Sequence, residues 1–232
     1  MMSLRYRLCV PWVLVGLTVV ASAAWAVSAD QIGARIRNRM NCLWQVSNLK
    51  ILVTPYQRDA GLDQGCVKRL DVTATSVVID GVKMTGVKLA ADDIVLDLGR
   101  LMHNNQVVFK RKRSDTIRCR VSESDLNKAL TYKKNTIQNL HVKLGDGLLT
   151  FTGTYKFGLG ANLMLQGRLA IQQGYLLNFV PTRASVNGVP LPTGVLKIVL
   201  SKVNPLIDFH KVPLQPSIDR IIVDTGYVTV VG

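Results

Sequence analysis

The chain has 232 residues, which is enough for one large domain or two small ones, and 48% of them are hydrophobic. Only 19% are charged, so the chain can bury an apolar core and its composition is not that of a disordered protein. The formal net charge of +14 at pH 7 favours an anionic partner, such as a membrane surface, a cell-wall polymer or a nucleic acid.

The N-terminus has the pattern of a secretory leader. Arg5 and Arg7 precede an uncharged apolar run, and Ala24-Trp25-Ala26 is a small-residue cleavage site. We therefore expect residues 1–26 to be a signal peptide and 27–232 to be a single domain with a charge of about +12. The alternative is an uncleaved anchor, because Leu8–Ala29 is uncharged and long enough to span a bilayer. Export is expected in both cases and argues against nucleic acid as the partner.

Three segments have the periodicity or the end signals of helices. In residues 30–44, the apolar positions fall on one face, as expected for an amphipathic helix; they are Ile32, Ile36, Met40 and Leu43. Ser122, followed three residues later by Asp125, resembles a capping box and predicts a helix at 123–133. Residues 193–203 are predicted to form the third helix.

Alternating apolar and polar residues predict about ten antiparallel strands in the rest of the chain. Asp80-Gly81, Asp146-Gly147 and Thr225-Gly226 lie between such runs and are hairpin signals. In 92–98, Asp93 and Asp97 are placed on the solvent face of a strand rather than in a cation site. We predict an α+β fold, in which a mostly antiparallel, strongly curved sheet wraps around one or more helices in two pseudo-similar halves.

Motifs for catalysis and for metal binding are missing from the sequence. His103, His141 and His210 lie far apart, and none has another ligand at metal spacing. Nucleotide-binding loops and nucleophile elbows are also missing. We therefore expect no catalytic residue, no metal and no cofactor, and we expect the protein not to be an enzyme.

The three cysteines that follow the predicted leader cannot all pair with one another. Cys42, Cys66 and Cys119 leave two interpretations open. One is a disulfide, most simply Cys42–Cys66, with one free thiol. The other is three buried thiols that pack as small hydrophobes.

A dense basic run, KRKR, occupies residues 110–113. Its members Lys110, Arg111, Lys112 and Arg113 could belong to a solvated hairpin that is protected from edge pairing. They could also contact phosphate head groups, since each basic group near an anionic membrane contributes about 1 kcal/mol. Both interpretations remain open from the sequence.

Four stretches together resemble a known family. They are RVSESDLNKAL at 120–130, GDGLLTFTG at 145–153, VNPLIDFHKVPL at 203–214 and VDTGYVTVVG at 223–232. In this order, after an exported start, they resemble the LmeA-like phospholipid-binding proteins of the bacterial envelope. The resemblance extends over roughly 30–232, and the KRKR run and the cysteines depart from the family's pattern.

The resemblance implies a non-enzymatic phospholipid-binding protein of the periplasm or cell envelope that supports lipid or lipoglycan metabolism or transport. By analogy of fold, it implies a TULIP-like architecture with an acyl-chain groove. We place that groove on Leu149, Phe151, Tyr155, Phe157, Leu163, Leu165, Leu169 and Ile171, and the head-group contact on the KRKR run. The expected partners are an anionic phospholipid and the membrane surface. The alternative is a structural protein with a filled β core that binds cell-wall polymer or another protein.

Overall fold

The structure is a computed structural model, and it describes residues 27–57, 61–132, 137–155, 160–212 and 214–232. The predicted leader at 1–26 and the predicted groove residue Phe157 lie outside the described residues.

Four helices and fourteen strands make up the described part of the chain. The helices are α1 (Ala29–Leu43), α2 (Leu98–Asn104), α3 (Glu123–Tyr132) and α4 (Thr193–Val203). The strands of the first half are β1 (Gln45–Ser47), β2 (Lys50–Thr54), β3 (Cys66–Ile79), β4 (Val82–Leu96), β5 (Phe109–Arg111) and β6 (Ser114–Ser122). Those of the second half are β7 (Ile137–Gly145), β8 (Leu148–Tyr155), β9 (Ala161–Gln172), β10 (Leu176–Val186), β11 (Val189–Pro190), β12 (Ile207–Asp208), β13 (Arg220–Asp224) and β14 (Tyr227–Val231).

The strands form two antiparallel sheets. Sheet A has the order β1-β3-β4-β6-β14-β13, with β2 also beside β3 and β5 beside β4. Sheet B has the order β11-β10-β9-β8-β7, with β12 beside β10. One sheet is strongly curled into a half-barrel, so the predicted α+β class with a strongly curved antiparallel sheet is confirmed.

The predicted hairpin turns lie where the sequence placed them. Asp80 and Gly81 join β3 to β4 with φ values of 51° and 82°, the left-handed pair that a tight two-residue turn requires. Asp146-Gly147 joins β7 to β8, and Thr225-Gly226 joins β13 to β14. The short polar side chain of Asp and the missing side chain of Gly tolerate positive φ, which is why these turns are predictable from the sequence.

Three of the four helices agree with their predictions. α4 covers the predicted residues, and α1 begins and ends one residue earlier than predicted. Ser122 caps α3, because the Asp125 amide donates to its Oγ over 3.0 Å. The predicted last residue of that helix, Lys133, lies outside the described residues.

The sequence analysis missed α2. It treated residues 92–98 as one strand, but β4 ends at Leu96 and Asp97 caps α2, accepting a hydrogen bond from the Arg100 amide over 3.1 Å. Asp97 therefore does not lie on a strand face, and that prediction was wrong. A single aspartate N-cap ends the alternating pattern, and seven helical residues are too few to show a period of their own.

None of the three cysteines forms a disulfide with a described residue, so the predicted Cys42–Cys66 disulfide is wrong, and the interpretation as three buried thiols holds for Cys119 alone. Cys42 is exposed on α1, Cys66 is partly exposed and Cys119 is buried. Gln45, just after α1, lies opposite Val78, which is twelve residues along β3 from Cys66. That is roughly 40 Å of extended strand, whereas a disulfide needs Cα atoms within about 7 Å.

Candidate functional site

A cleft of about 350 Å³ opens beside the C-terminal end of α1. Three segments line it: the last turns of α1, the connection between α2 and β5, and the chain that follows β12. The apolar lining residues are Ile36, Met40, Leu43, Trp44, Val107, Val108, Phe109, Val212 and Leu214, and the polar ones are Arg39, Gln106, His210, Lys211 and Gln215.

The first wall is α1, whose start is fixed by a capping box. The Gln31 amide donates to Ser28 Oγ over 3.2 Å, and the Ser28 amide donates to Gln31 Oε1 over 3.1 Å. From there, Ile36 and Met40 pack into the core and are almost fully buried. Leu43 remains 48% exposed at the cleft, so the apolar stripe of this helix extends beyond what the core covers.

The second wall is the return from α2 to β5. Asn105 ends α2 in the left-handed region, with φ of 51°, and turns the chain back. The Asp97 amide then donates to the carbonyl oxygen of Val108 over 2.9 Å. Val107 and Phe109 are partly buried against the core and line the cleft from this side.

The third wall consists of residues 209–212, 214 and 215, which are called the strap here. The preceding corner is fixed by Asn204, whose side-chain amide exchanges two hydrogen bonds of 2.8 Å with the backbone of Phe179 on β10. Asp208 then accepts from the His210 amide over 3.0 Å, and Phe209 is fully buried. These contacts anchor the start of the strap to sheet B.

Two lysines fix the strap further along. Lys211 Nζ contacts Asp80 Oδ2 at the β3–β4 turn over 2.6 Å, and this carboxylate raises the pKa of Lys211. Lys112 Nζ donates to the carbonyl oxygens of Leu214 and Gln215 over 3.0 and 2.6 Å, and it also pairs with Asp115. The strap is therefore attached to sheet A by side chains.

The charged side chains that line the cleft are basic, and one of them, Lys211, is paired with Asp80 outside the lining. Arg39 and Lys211 lie on its rim beside His210, whose ring stacks on Tyr175 with centroids 3.7 Å apart. No acidic side chain belongs to the lining among the described residues. An apolar interior with a cationic rim suits a ligand that has an apolar chain and an anionic group.

The predicted acyl-chain groove lies in the packed core of this structure. Leu149, Phe151, Leu163 and Leu165 are at most 2% exposed. The space next to Leu149 and Phe151 is about 10 Å³, which is too small for an acyl chain. Leu169 and Ile171 are partly buried against the core. The side chain of Tyr155 and all of Phe157 lie outside the described residues, and a groove at these positions stays a prediction.

The KRKR run is largely paired with acids. Lys110 lies 3.9 Å from Asp97, and Arg113 lies 2.8 Å from Asp93. The Tyr56 hydroxyl and then Arg113 lower the pKa of Asp93. With Lys112 engaged on the strap, only Arg111 makes no ion pair with the described residues. A head-group contact at this run stays a prediction.

The three histidines have separate surroundings. His103 Nδ1 lies 3.1 Å from the Gly99 carbonyl oxygen, His141 is exposed on β7, and His210 stacks on Tyr175. The described residues contain no group of three His, Cys, Asp or Glu side chains that could hold a metal ion. They also contain no helix with the length and apolarity needed to cross a membrane.

Sequence reasoning did not assemble the cleft, although two of its signals were visible. Leu43 and Trp44 extend the apolar stripe of α1 to the end of the helix. The strap lies in the VNPLIDFHKVPL stretch, which carried much of the family resemblance. Val107 and Phe109 gave no signal, because only the unpredicted helix α2 brings them beside α1.

Comparison with known proteins gives one match. The model of the family described as LmeA-like phospholipid-binding matches residues 60–232. That range includes the second wall and the strap but not α1, so the match is shorter than the resemblance expected from the sequence. No curated protein matches, and no solved structure matches.

Proposed function

This chain belongs to the LmeA-like phospholipid-binding family, and we propose that it holds a phospholipid with an acyl chain in the cleft beside α1. The observation that carries the proposal is the lining of the cleft, which joins apolar side chains from three segments to a rim with Arg39 and Lys211. The family match covers the strap and the second wall, which form two of the three sides.

The volume of the cleft limits what it can enclose. Ligand pockets usually measure about 300–1,000 Å³, so 350 Å³ is at the small end. At about 30 Å³ for each group of the size of a water molecule, it holds roughly twelve methylene groups. We therefore propose that one chain enters the cleft and that the second lies along Leu43 and Trp44 or enters after the strap moves.

The head group would provide the selectivity. Twelve methylenes are worth about 10 kcal/mol when they leave water, but a lipid that comes from a bilayer has already gained this free energy. The preference for one phospholipid over another then depends on polar contacts with the head group. Arg39 can bind a phosphate through two parallel hydrogen bonds, and Lys211 can share its charge between Asp80 and the phosphate. We propose an anionic phospholipid for this reason.

We also propose export to the cell envelope and a role in binding rather than catalysis. Support for export comes from the leader pattern at 1–26. The proposed role is to hold or transfer lipid for envelope lipid or lipoglycan metabolism. Such a role needs an apolar cavity and a basic rim, and it needs no reacting group.

Native mass spectrometry followed by lipid extraction tests the proposal. The full chain is expressed with its own N-terminus in a bacterial host, and the folded protein is purified without detergent. We expect co-purified phospholipid in the wild type and its loss in Leu43→Arg, since Leu43 is half exposed and tolerates the change. Val180→Arg, at an equally exposed position on β10, is the matched control and should retain the lipid. Folded wild-type protein that carries no phospholipid would refute the proposal.

A second candidate is favoured by the filled core. Leu149 and Phe151 have only about 10 Å³ of space beside them, as in a structural protein without an acyl-chain groove. In that case the surface would bind cell-wall polymer or a protein partner. The same experiment separates the two candidates, because a structural protein stays lipid-free while folding normally.

A further inference from the structure

Four basic side chains stand in one row across the outer face of sheet A. The cross-strand register runs from Lys50 to Thr73, Lys88, Arg118, Val231 and Arg220. We call Lys50, Lys88, Arg118 and Arg220 the basic row. It crosses six strands, which is about 24 Å at the usual strand spacing of about 4.8 Å.

The basic row is exposed and carries no counter-charge. All four side chains are exposed, and none forms an ion pair with a described residue. Lys83 and Arg120 lie on the same face in the adjacent part of the sheet, and both are also exposed and unpaired among the described residues. The neighbouring residues Leu89, Ile117 and Cys119 point to the core instead.

The row contains a pairing that works against stability. Lys88 lies directly opposite Arg118, and like charges opposite each other destabilise a sheet. A bulge helps to create this contact, because the β4–β6 register shifts between Thr85 and Lys88, where Gly86 has φ of +58°. Unfavourable local arrangements that a fold retains are typical of functional surfaces.

Apolar side chains accompany the cations on this face. Leu52, next to the row on β2, is 62% exposed, and Ile222 and Tyr227 are 38% and 36% exposed. The Arg120 guanidinium carbon lies 5.2 Å from the centre of the Tyr227 ring. Basic, aromatic and aliphatic side chains together suit the interface of a bilayer, whereas a soluble polyanion would need only the charges.

The face is also connected to the candidate cleft. Trp44 lines the cleft, and the strand that follows it, β1, ends at Ser47. Ser47 borders an open depression of about 1060 Å³ on the outer face of sheet A, together with Lys50, Lys83 and Lys88. A single short strand therefore joins the two sites.

We propose that this face, through the basic row, docks the protein on the phosphate head groups of an anionic bilayer. The inference rests on the proposed function in one respect: docking is useful to the protein because it brings the cleft to the lipid. The row and not the KRKR run provides the docking charge, because no member of the row forms an ion pair within the described residues.

Flotation with lipid vesicles tests the inference, using the full chain expressed with its own N-terminus. The vesicles contain phosphatidylcholine with or without phosphatidylglycerol. The row variant is Lys88→Gln with Arg118→Gln, and the matched control, Lys110→Gln with Arg113→Gln, loses the same charge from the paired run. We expect the row variant to bind anionic vesicles about 30-fold more weakly and the control less than about threefold more weakly. Thermal unfolding should show both folded, and the row variant at least as stable as the wild type.

Several results would overturn the docking inference. They are equal losses in both variants, wild-type binding that does not respond to phosphatidylglycerol or to salt, and binding to dextran sulfate without binding to vesicles. The lipid content of the same preparations, measured by mass spectrometry, separates the two proposals. A lipid-free cleft with row-dependent vesicle binding would refute the proposed function alone. A lipid-loaded protein whose row variant binds vesicles like the wild type would refute docking alone.

Discussion

Two groups of four basic residues on sheet A and its connections differ in how their charge is used. The KRKR run at 110–113 is contiguous, whereas the basic row comes from four strands that lie up to 170 residues apart in the chain. In the run, Lys110, Lys112 and Arg113 are paired with Asp97, Asp115 and Asp93. In the row, no member has a partner among the described residues.

The difference has a topological cause. The end of β4 brings Asp93 and Asp97 to the run, and the start of β6 brings Asp115. Nearby, Arg69 bridges Asp71 and Asp92. The opposite part of the same sheet face has cations and hydroxyl groups opposite each other, as in Thr73–Lys88 and Thr85–Arg120. A dense run of charge in a sequence is therefore a poor guide to free charge on a surface, because the fold decides where the acids lie.

The largest effect is expected in thiol labelling, which tests the strand register that places Arg118 and Arg120 on the outer face. Cys119 lies between Arg118 and Arg120, so the two arginines share the outer face only if Cys119 points inward. Burial raises the pKa of Cys119 to about 12, which lowers the thiolate fraction at pH 8 about a thousandfold relative to an ordinary thiol. We expect an aromatic disulfide reagent to label the exposed Cys42 and to leave Cys119 unlabelled until the protein unfolds. Rapid native labelling of Cys119, located by peptide mapping, would contradict the register.

The next largest effect is expected on the free energy of unfolding, when Lys112 of the KRKR run is replaced. Lys112 is 29% exposed and contacts two carbonyl groups of the strap as well as Asp115. Lys112→Met keeps the aliphatic stem but leaves these acceptors unpaired, so we expect a loss of about 2 kcal/mol in the free energy of unfolding. Lys88→Met is the matched control from the row, and it should change this free energy by less than about 0.5 kcal/mol. Urea unfolding measures both free energies. Equal midpoints for Lys112→Met and the wild type would show that Lys112 does not stabilise the fold.

The smallest effect is expected for the like-charge pair in the row, which should lower the stability of the fold while favouring binding to anionic membranes. Lys88→Glu replaces a like-charge contact with an opposite-charge pair to Arg118 across β4 and β6. We expect stabilisation by about 0.5 kcal/mol, together with weaker binding to anionic vesicles. Thermal unfolding at low salt measures the first change and flotation the second. Destabilisation would indicate that Lys88 has a favourable contact that the register does not reveal.

The candidate cleft was only partly predictable. The apolar stripe of α1 and the strap sequence were visible, since both depend on local spacing. The groove was predicted on eight positions from Leu149 to Ile171 because alternation distinguishes the two faces of a strand, but alternation cannot distinguish core from ligand site. In this structure, those side chains contact one another in the core, and the larger apolar space lies beside α1.

The α+β class, the Asp-Gly hairpins and the bounds of α4 could be predicted from local sequence patterns. These depend on backbone preferences and on periodicity within a few residues. Three other features follow from the packing of distant segments: which cations are paired with acids, which apolar stripes are covered, and the separation of Cys42 from Cys66. Those outcomes depend on sheet order and register, which place residues from distant parts of the chain opposite one another.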